Sequence, residues 1–230
     1  MTRRDGYNPQ RPFTLPEGAT EIVLVRHGSS AKAVEGAPFP LIDGRGNPPL
    51  ADRGHEQALA VASRLAGEEL SKLFVTTLRR TAETAAPLAE ESGLEPLVVP
   101  ELAEVRLGDW EGGEYRLRAM EGDPTVWRAF EEERWDVIPN GEAPEEIEAR
   151  VRAGLERIVT ETGPNATAAA VLHGGIIGEL CRLATGSRPF AFIHSDNGAI
   201  SRLVHMPGGR LLLRSFNDTN HLTVLTGPAG

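Results

Sequence analysis

Two histidines, each followed by glycine, indicate the chemistry that this sequence could perform. Arg26-His27-Gly28 and His173-Gly174 each stand directly after a short apolar run. A neutral imidazole can attack phosphorus, and a guanidinium stabilises the anionic oxygens of a phosphoryl group. The pattern therefore predicts phosphoryl transfer if the two histidines meet in the fold.

Further charged side chains follow two other apolar runs. Arg79 and Arg80 come after the run at 73–75, and Glu104 comes after the run at 97–99. A carboxylic acid can protonate the oxygen that leaves when a phosphate ester is cleaved. Two imidazoles, guanidinium groups and one carboxyl group together suit a phosphate ester as substrate.

Alternating patterns predict the elements that must position these residues. The apolar runs predict strands at 21–25, 73–75, 97–99 and 166–172, and a terminal hairpin at 200–205 and 210–215. Helices are expected at about 78–90 and from Asp52, as N-cap, through Ala66. This order predicts an α/β fold, a three-layer α/β/α sandwich with a mostly parallel sheet. Ligands collect at the carboxyl ends of such strands, so His27 and His173 should share one edge.

The rest of the chain predicts a single catalytic domain with two additions. Residues 1–20 are rich in Pro and Gly and predict a partly ordered N-terminal arm, and residues 21–230 form the domain. The loop at 36–49 holds too many Pro and Gly residues for a helix. The polar stretch at about 112–139 predicts a helical insertion that interrupts the alternation.

Composition narrows the classes of partner. The chain has 230 residues, of which 40% are hydrophobic and 25% charged, as in a soluble domain. Its net charge of −9 disfavours general nucleic-acid binding, which needs Lys and Arg to displace counterions. No apolar run is long enough to cross a bilayer, so the expected location is the cytoplasm, without a membrane partner. Cys181 is the only cysteine and is interpreted as a buried structural thiol.

An ordered set of motifs resembles the histidine phosphatase superfamily, in its phosphoglycerate mutase-like branch. The matching segments are Arg26-His27-Gly28, 50–58, 76–85, 102–112, Asn140-Gly141-Glu142-Ala143 and 171–174. They occur in the family's order and span residues 21–222. Any one segment is weak evidence, whereas the ordered set is specific.

The resemblance implies a role for each matching residue. His27 corresponds to the nucleophile that becomes phosphohistidine, and Glu104 to the general acid that later acts as base toward water. Arg26, Arg80 and His173 correspond to residues that stabilise the transferring group. The expected phosphate contacts are Arg26, Ser30, Arg80, His173 and Gly174. Family members need no metal or other cofactor for this chemistry, since arginines neutralise the phosphate.

Departures from the family pattern guide the choice among functions. Ser29-Ser30 and Ala33 stand where members often have a Glu-Thr pair and an Asn, so the contact from the Asn position is lost. The Trp-Asn usual in mutases is also missing, and Val105 and Leu107 make the surface beside the acid less polar than carboxylate recognition requires. These departures favour a metal-independent phosphatase acting on a small phosphorylated substrate.

Two alternatives stay open at this point. One is a cofactor-dependent phosphoglycerate mutase, and the other is a catalytically silent phosphate-binding domain on the same fold. The sequence specifies neither the particular ester nor the oligomeric state.

Several other residues match no catalytic motif. His55, His194, His205 and His221 are interpreted as surface or structural residues, and Trp127, Phe130 and Trp135 as packing under the insertion. Arg79 and Arg106 are expected at the entrance or in solvent. Asn197 precedes the strand at 200–205 and is a candidate substrate contact at the pocket rim.

Overall fold

A six-stranded sheet lies at the centre of the fold. The structure is a computed structural model that describes residues 10–225. Its strands, in chain order, are β1 (Thr20–Arg26), β2 (Leu41–Ile42), β3 (Arg45–Gly46), β4 (Leu70–Val75), β5 (Pro96–Val98), β6 (Ala166–Leu172), β7 (Ile200–His205) and β8 (Leu211–Asp218). β2 and β3 pair only with each other and form a separate small hairpin.

Six α-helices surround the sheet within the described residues. They are α1 (Asp52–Leu65), α2 (Arg79–Ser92), α3 (Glu114–Glu121), α4 (Pro124–Glu132), α5 (Pro144–Thr162) and α6 (Gly174–Thr185). Short 3-10 turns lie at Pro100–Leu102, Gly108–Trp110, Pro189–Phe192 and Asn220–Leu225. None of these helices is long and apolar enough to cross a membrane.

The strand order places the two His-Gly segments side by side. The sheet runs β5-β4-β6-β1-β7-β8, with the first four strands parallel and β7 antiparallel to them; β8 is antiparallel to β7 and so runs in the same direction as the first four. β1 and β6 are neighbours, and Arg26 pairs with Leu172 at their carboxyl ends. The next residues, His27 and His173, therefore leave the sheet at the same level. This confirms the predicted α/β class and the mostly parallel sheet.

Helices cover both faces of the sheet, which makes the three layers. Side chains alternate along β1, so Ile22 and Leu24 pack on one face and Val23 and Val25 on the other. The first face is covered by α5 and α6, and the second by α1 and α2. Both core clusters consist mostly of buried aliphatic side chains, whose removal from water is the main stabilising contribution.

Local differences from the sequence-based prediction have identifiable causes. Asp52 was wrongly expected as the N-cap of α1: Ala51 holds that position without a side-chain hydrogen bond, and Asp52 is the first helical residue. The Ala51 N–H donates to the Ser29 carbonyl at 2.9 Å, so the backbone fixes the start of the helix. The 19-residue helix α5 was not predicted at all.

The structure also describes the predicted loop, the insertion and part of the N-terminal arm. The loop at 36–49 contains no helix, and its β2–β3 hairpin turns at Asp43 and Gly44, which both have positive φ. Helices α3 and α4 lie within the stretch at 112–139. Of the N-terminal arm, residues 1–9 lie outside the described residues. Cys181 is fully buried in α6, and burial raises the pKa of its thiol to about 12, as expected of a structural cysteine.

Candidate active site

His27 lies buried at the end of β1 with its two ring nitrogens in different environments. Nδ1 is 2.7 Å from the Gly28 carbonyl oxygen, which can only accept a hydrogen bond. Nδ1 therefore carries the proton, and Nε2 presents a lone pair. Arg80 donates to that lone pair, with its Nε 3.1 Å from Nε2. The nitrogen that contacts Arg80 is thus unprotonated.

The charge state of His27 follows from the same surroundings. Burial lowers the pKa of His27 well below its ordinary value, and the positive charges of Arg80 and Arg26 lower it further. The hydrogen bond from Nδ1 to Gly28 opposes this without reversing it. The ring is therefore neutral at physiological pH, which is the form that can act as a nucleophile.

His173 caps α6 beside His27 and is fully buried. The two ring centroids lie 5.2 Å apart at an interplanar angle of 62°. Thr76 Oγ1 lies 2.9 Å from His173 Nε2, whereas Nδ1 has no hydrogen-bond partner within residues 10–225. Burial, followed by the charge of Arg80, lowers the pKa of His173 well below its ordinary value. His173 is thus a second neutral imidazole beside His27.

Two guanidinium groups flank the histidines. Arg26 ends β1, donates from Nη1 to the Ser195 carbonyl, and has a buried Nε that lacks a partner among the described residues. Arg80 lies in the first turn of α2 and donates from Nη1 to the Gly46 carbonyl at 3.0 Å. Burial lowers the pKa of Arg80 to about 10, so it stays protonated at neutral pH. Both guanidiniums keep donors available for an anion.

Arg26 packs closely against Gly174, which has no side chain. A Cβ at Gly174 would lie 3.3 Å from Arg26 Nε, close enough to press on the guanidinium. Gly174 is also the first residue of α6, whose N-terminal amides favour an anion. Two neighbouring features at this strand end therefore suit a negatively charged group.

Glu104 follows the turn at Pro100–Leu102 and lines the same cavity as His27. Its Oε1 accepts a hydrogen bond from the Val105 N–H at 3.0 Å. A Cβ at Gly175 would lie 2.7 Å from Oε1, so any larger residue at that position of α6 would displace the carboxylate. The second glycine of His173-Gly174-Gly175 thus makes room for the acid.

A buried ion pair holds the segment that carries Glu104. Arg150 of α5 donates to both carboxylate oxygens of Glu142, at 2.6 and 2.9 Å. The same guanidinium donates to the carbonyls of Glu101 at 2.8 Å and Ala103 at 2.6 Å. Burial by itself would raise the pKa of Glu142, but the hydrogen bond and charge of Arg150 lower it overall. Glu142, from the Asn-Gly-Glu-Ala motif, therefore fixes backbone rather than contacting a ligand.

The loop after the Arg-His-Gly triplet is also tightly held. Thr84 Oγ1 accepts from the Gly28 N–H at 2.9 Å, and Gln57 Oε1 accepts from the Ser29 N–H at 2.8 Å. A Cβ at Gly28 would lie only 2.5 Å from the Gly54 carbonyl oxygen, so the loop and α1 approach closely. The loop brings Ser30 to the wall of the cavity.

These side chains converge on one cavity of about 560 Å³. Its inner end is lined by Arg26, His27, Ser30, Arg80, Glu104 and Gly174. Its outer wall includes Phe39, Leu107, Tyr115, Phe130, Trp135 and His194. His173 is fully buried behind this lining, next to His27. A larger cavity of about 740 Å³ lies beside α3 and α4, but His27 does not line it. We therefore place the candidate site in the smaller cavity.

The remaining sequence-based assignments divide between the site and its surroundings. Arg79 and Arg106 lie outside it, where they pair with Glu83 and Glu146. Asn197 lines the cavity and donates from Nδ2 to the His27 carbonyl at 2.9 Å. Its contact supports the backbone of His27.

The aromatic residues that were expected to pack under the insertion differ in whether they line the cavity. Trp127 is 65% exposed and lies away from the cavity. Phe130 and Trp135 do pack together, with centroids 6.5 Å apart, and they also line the cavity. His194, interpreted as a surface or structural residue, stacks on Phe130 at 5.6 Å and contributes to the wall.

Two arginines of the cavity carried no signal in the sequence. Arg116 comes from α3 and Arg45 from the β2–β3 hairpin, and both line the cavity. Neither lies in a motif or at a strand end of the central sheet. Only their positions in the insertion and in the loop at 36–49 relate them to the site. No group of three or more potential metal ligands was found within residues 10–225.

Comparison with known proteins agrees with this geometry. A model of the histidine phosphatase superfamily, branch 1, matches residues 22–219. Phosphoglycerate mutase-like protein 4 of Arabidopsis thaliana is 33% identical over 207 residues, which cover 88% of this chain and 86% of that protein. The metal-independent phosphoserine phosphatase of the same plant is 29% identical over 209 residues, covering 89% and 84%.

Solved structures show the same fold. The native structure of mycobacterial glucosyl-3-phosphoglycerate phosphatase superposes with a TM-score of 0.71 at 25% identity, over 87% of this chain and all of that chain. Some relatives are much longer: the chain spans 55% of the length of the first mycobacterial proteins that it matches, at 31% identity. The family match over 22–219 and the shared fold establish that this chain belongs to the histidine phosphatase superfamily, branch 1.

Proposed function

We propose that the protein is a metal-independent phosphatase that hydrolyses phosphomonoesters through a phosphohistidine intermediate on His27. The observation that carries the proposal is the His27 ring, neutral and protonated on Nδ1, which leaves the lone pair on Nε2, the nitrogen that attacks. Relatives named as phosphatases, among them a metal-independent phosphoserine phosphatase, support the reaction class.

In the first step, His27 Nε2 attacks phosphorus and the ester oxygen leaves. The N–P bond forms as the P–O bond breaks, and the leaving oxygen takes the proton of the Glu104 carboxylic acid. The Nδ1 hydrogen bond to Gly28 holds the ring in the correct tautomer and stabilises the positive charge that develops on it. Arg80, whose Nε donates to Nε2, turns its donors to the phosphoryl oxygens in this step.

In the second step, water attacks the phosphohistidine. Glu104, now a carboxylate, takes the proton from this water, and the N–P bond breaks to release inorganic phosphate and neutral His27. The charges of Arg26 and Arg80 stabilise the phosphoryl oxygens in both steps. His173 lies beside His27 with an unpartnered Nδ1 among the described residues, and this nitrogen can donate when it carries the ring proton.

The cavity fits a small phosphorylated molecule. Its volume of about 560 Å³ lies within the usual range for small-ligand sites. The expected cytoplasmic location and the lack of nucleic-acid and membrane partners stay predictions from the sequence.

A phosphoglycerate mutase is the second candidate, because one relative is named mutase-like. Such an enzyme needs cations that grip the carboxylate of its substrate. Leu107, Tyr115 and Trp135 line the cavity together with Glu104, and Arg106 pairs with Glu146 outside it. Arg45 and Arg116 do line the cavity, but Arg45 is held by the Glu104 carbonyl and pairs with Glu142. The uncharged side chains of the lining favour a phosphatase.

Hydrolysis of p-nitrophenyl phosphate in excess chelator tests the proposal. We expect the wild-type protein to release phosphate and His27→Ala to lose nearly all of this activity. Equal inactivity of both proteins would contradict the phosphatase assignment, and equal activity would contradict the role of His27. Interconversion of phosphoglycerates, assayed with and without the bisphosphate cofactor, would instead support a mutase.

A further inference from the structure

Arg116 of α3 reaches the inner part of the cavity from the helical insertion. Its Nη1 donates to the Ala31 carbonyl at 2.8 Å, and its Nη2 donates to Ser30 Oγ at 2.9 Å. Burial lowers the pKa of Arg116, and the charge of Arg26 lowers it further, while Glu104 opposes this. The guanidinium is therefore largely desolvated and lies within electrostatic range of the residues around the phosphate position.

Three guanidinium groups of the cavity have no carboxylate of the described chain within ion-pair distance, although the charge of Glu104 acts on each of them. Among the described residues, no ion pair is formed by Arg26, Arg80 or Arg116. By contrast, the next arginine of α3, Arg118, pairs with Glu114 at 2.7 Å and with Asp123 at 3.1 Å. Partly buried cations that repel one another favour a bound anion. Arg116 and Arg118 therefore differ although they lie on the same helix, because only Arg118 has carboxylate partners.

The contact with Ser30 turns a hydroxyl group toward the ligand. Arginine can only donate, so Ser30 Oγ accepts from Arg116 and its own proton is free to point elsewhere. Ser30 lines the cavity together with His27. A phosphate oxygen there can accept from the hydroxyl, and the neighbouring positive charge strengthens that hydrogen bond.

The position of α3 also accounts for the small residue at position 33. A Cβ at Gly113, which precedes α3, would lie 3.1 Å from Ala33 Cβ, so the start of the helix packs against Ala33. Ala33 is the position from which family members often supply an asparagine contact. Arg116 follows Gly113 by one helical turn and brings a cation to the region that lacks this contact.

We propose that Arg116, acting with Ser30, binds the transferring phosphoryl group as a third guanidinium of the site. This rests on the proposed function, since it assigns a ligand contact in the same reaction. The helical insertion then contributes to phosphate binding as well as to the wall of the cavity.

Inhibition by inorganic phosphate tests the proposal, because phosphate has no leaving group. We expect Arg116→Gln to raise the inhibition constant about 10- to 100-fold, the usual effect of losing a hydrogen bond to a charged group. We expect kcat/KM to fall by a similar factor for two esters with unrelated leaving groups. Arg116→Lys should retain part of the binding, and Ser30→Ala should have little further effect in the Arg116→Gln background.

Arg118→Gln is the matched control, because it removes a cation from the same helix outside the cavity. It should leave phosphate inhibition unchanged. An unchanged inhibition constant in Arg116→Gln would overturn the proposal, and so would a loss of kcat/KM for only one of the esters, which would place Arg116 on the leaving group.

Direct titration with inorganic phosphate separates this proposal from the proposed function. If the wild-type protein hydrolyses no ester but binds phosphate more tightly than Arg116→Gln does, the phosphatase assignment fails and the role of Arg116 stands. If the wild-type enzyme is active and both proteins bind phosphate equally, the role of Arg116 fails alone. Melting temperatures of the variants check that each is folded.

Discussion

At the scale of single residues, the central feature is that Nδ1 of His27 carries the ring proton while Nε2 carries the lone pair. Gly28 holds the proton on Nδ1 at 2.7 Å, and burial together with Arg80 and Arg26 keeps the ring neutral. A neutral ring is useful only if an acid is available to the leaving oxygen. Glu104 is a carboxyl group that lines the cavity together with His27, and the absence of a side chain at Gly175 leaves room for it.

Gly175→Ala tests the position of Glu104. The added methyl group would lie 2.7 Å from Oε1 and 3.0 Å from Val105 Cγ2, so the carboxylate must move. Because general acid catalysis contributes about 10²–10⁴-fold, we expect a loss of at least about tenfold in kcat for an alkyl phosphate. The loss should be smaller for p-nitrophenyl phosphate, whose leaving oxygen needs little protonation. Steady-state kinetics with both esters measure the difference.

Gly67→Ala provides the control for this substitution. A Cβ at Gly67 meets nothing within 4 Å, and its backbone does not have positive φ. Its kinetics should match those of the wild-type enzyme. If Gly175→Ala slows both esters equally, the acid role of Glu104 is contradicted.

The sequence predicted the residues that follow strand ends better than those that come from elsewhere. His27 and His173 meet because β1 and β6 are paired in register, and the alternation of strands and helices implied such a sheet edge. Arg116 and His194 lie on a helix of the insertion and in a loop, where no periodic pattern relates them to the sheet. Their place in the site depends on tertiary packing, which a short sequence pattern does not encode.

At the scale of elements, α5 connects the core to the segment that carries Glu104. Its Arg150 bonds the carbonyls of Glu101 and Ala103 while pairing with buried Glu142. The helix was not predicted. In this region the resemblance identified only the motif at 140–143, which directly precedes the helix. The interaction spans separate segments of chain, so its structural role becomes visible only in the fold.

Glu142→Gln tests this connection. The substitution keeps the size of the side chain but leaves Arg150 partly buried without a carboxylate, which costs about 3 kcal/mol of the free energy of unfolding. Urea denaturation measures this loss. We also expect a larger fall in kcat for an alkyl phosphate than for p-nitrophenyl phosphate, because the Glu104 segment loses its support.

Glu161→Gln is a matched control on the same helix, since its exposed pair with Arg157 contributes about 0.5 kcal/mol or less. Equal stability of the two variants would contradict the structural role of Glu142. A normal preference between the two esters in Glu142→Gln would contradict its effect on Glu104.

At the scale of the whole molecule, two neutral imidazoles are buried at one edge of the central sheet. Both have a pKa well below the ordinary value near 6.5, chiefly because of burial. In the unfolded chain these histidines take up protons below about pH 6.5, whereas in the folded protein they do not. Their contribution to stability is therefore present above that pH and is lost as the pH falls.

The dependence of stability on pH measures this effect. In phosphate-free buffer, the free energy of unfolding should fall between about pH 6.5 and 5 by up to about 1.4 kcal/mol per pH unit for each histidine. His27→Gln and His173→Gln should each reduce that slope. Between pH 7 and 8 the slopes of all three proteins should coincide. Equal slopes at acidic pH would contradict the burial of neutral histidines.

The most direct test of the account is to trap the phosphorylated enzyme. Rapid quenching with a slowly hydrolysed ester, followed by peptide mass spectrometry under alkaline conditions, should show one phosphoryl group on His27 that is lost in acid. The group should form in the presence of chelator and be absent from His27→Ala. Turnover of the ester without any phosphoryl group on His27, or with the group on another residue, would contradict the account.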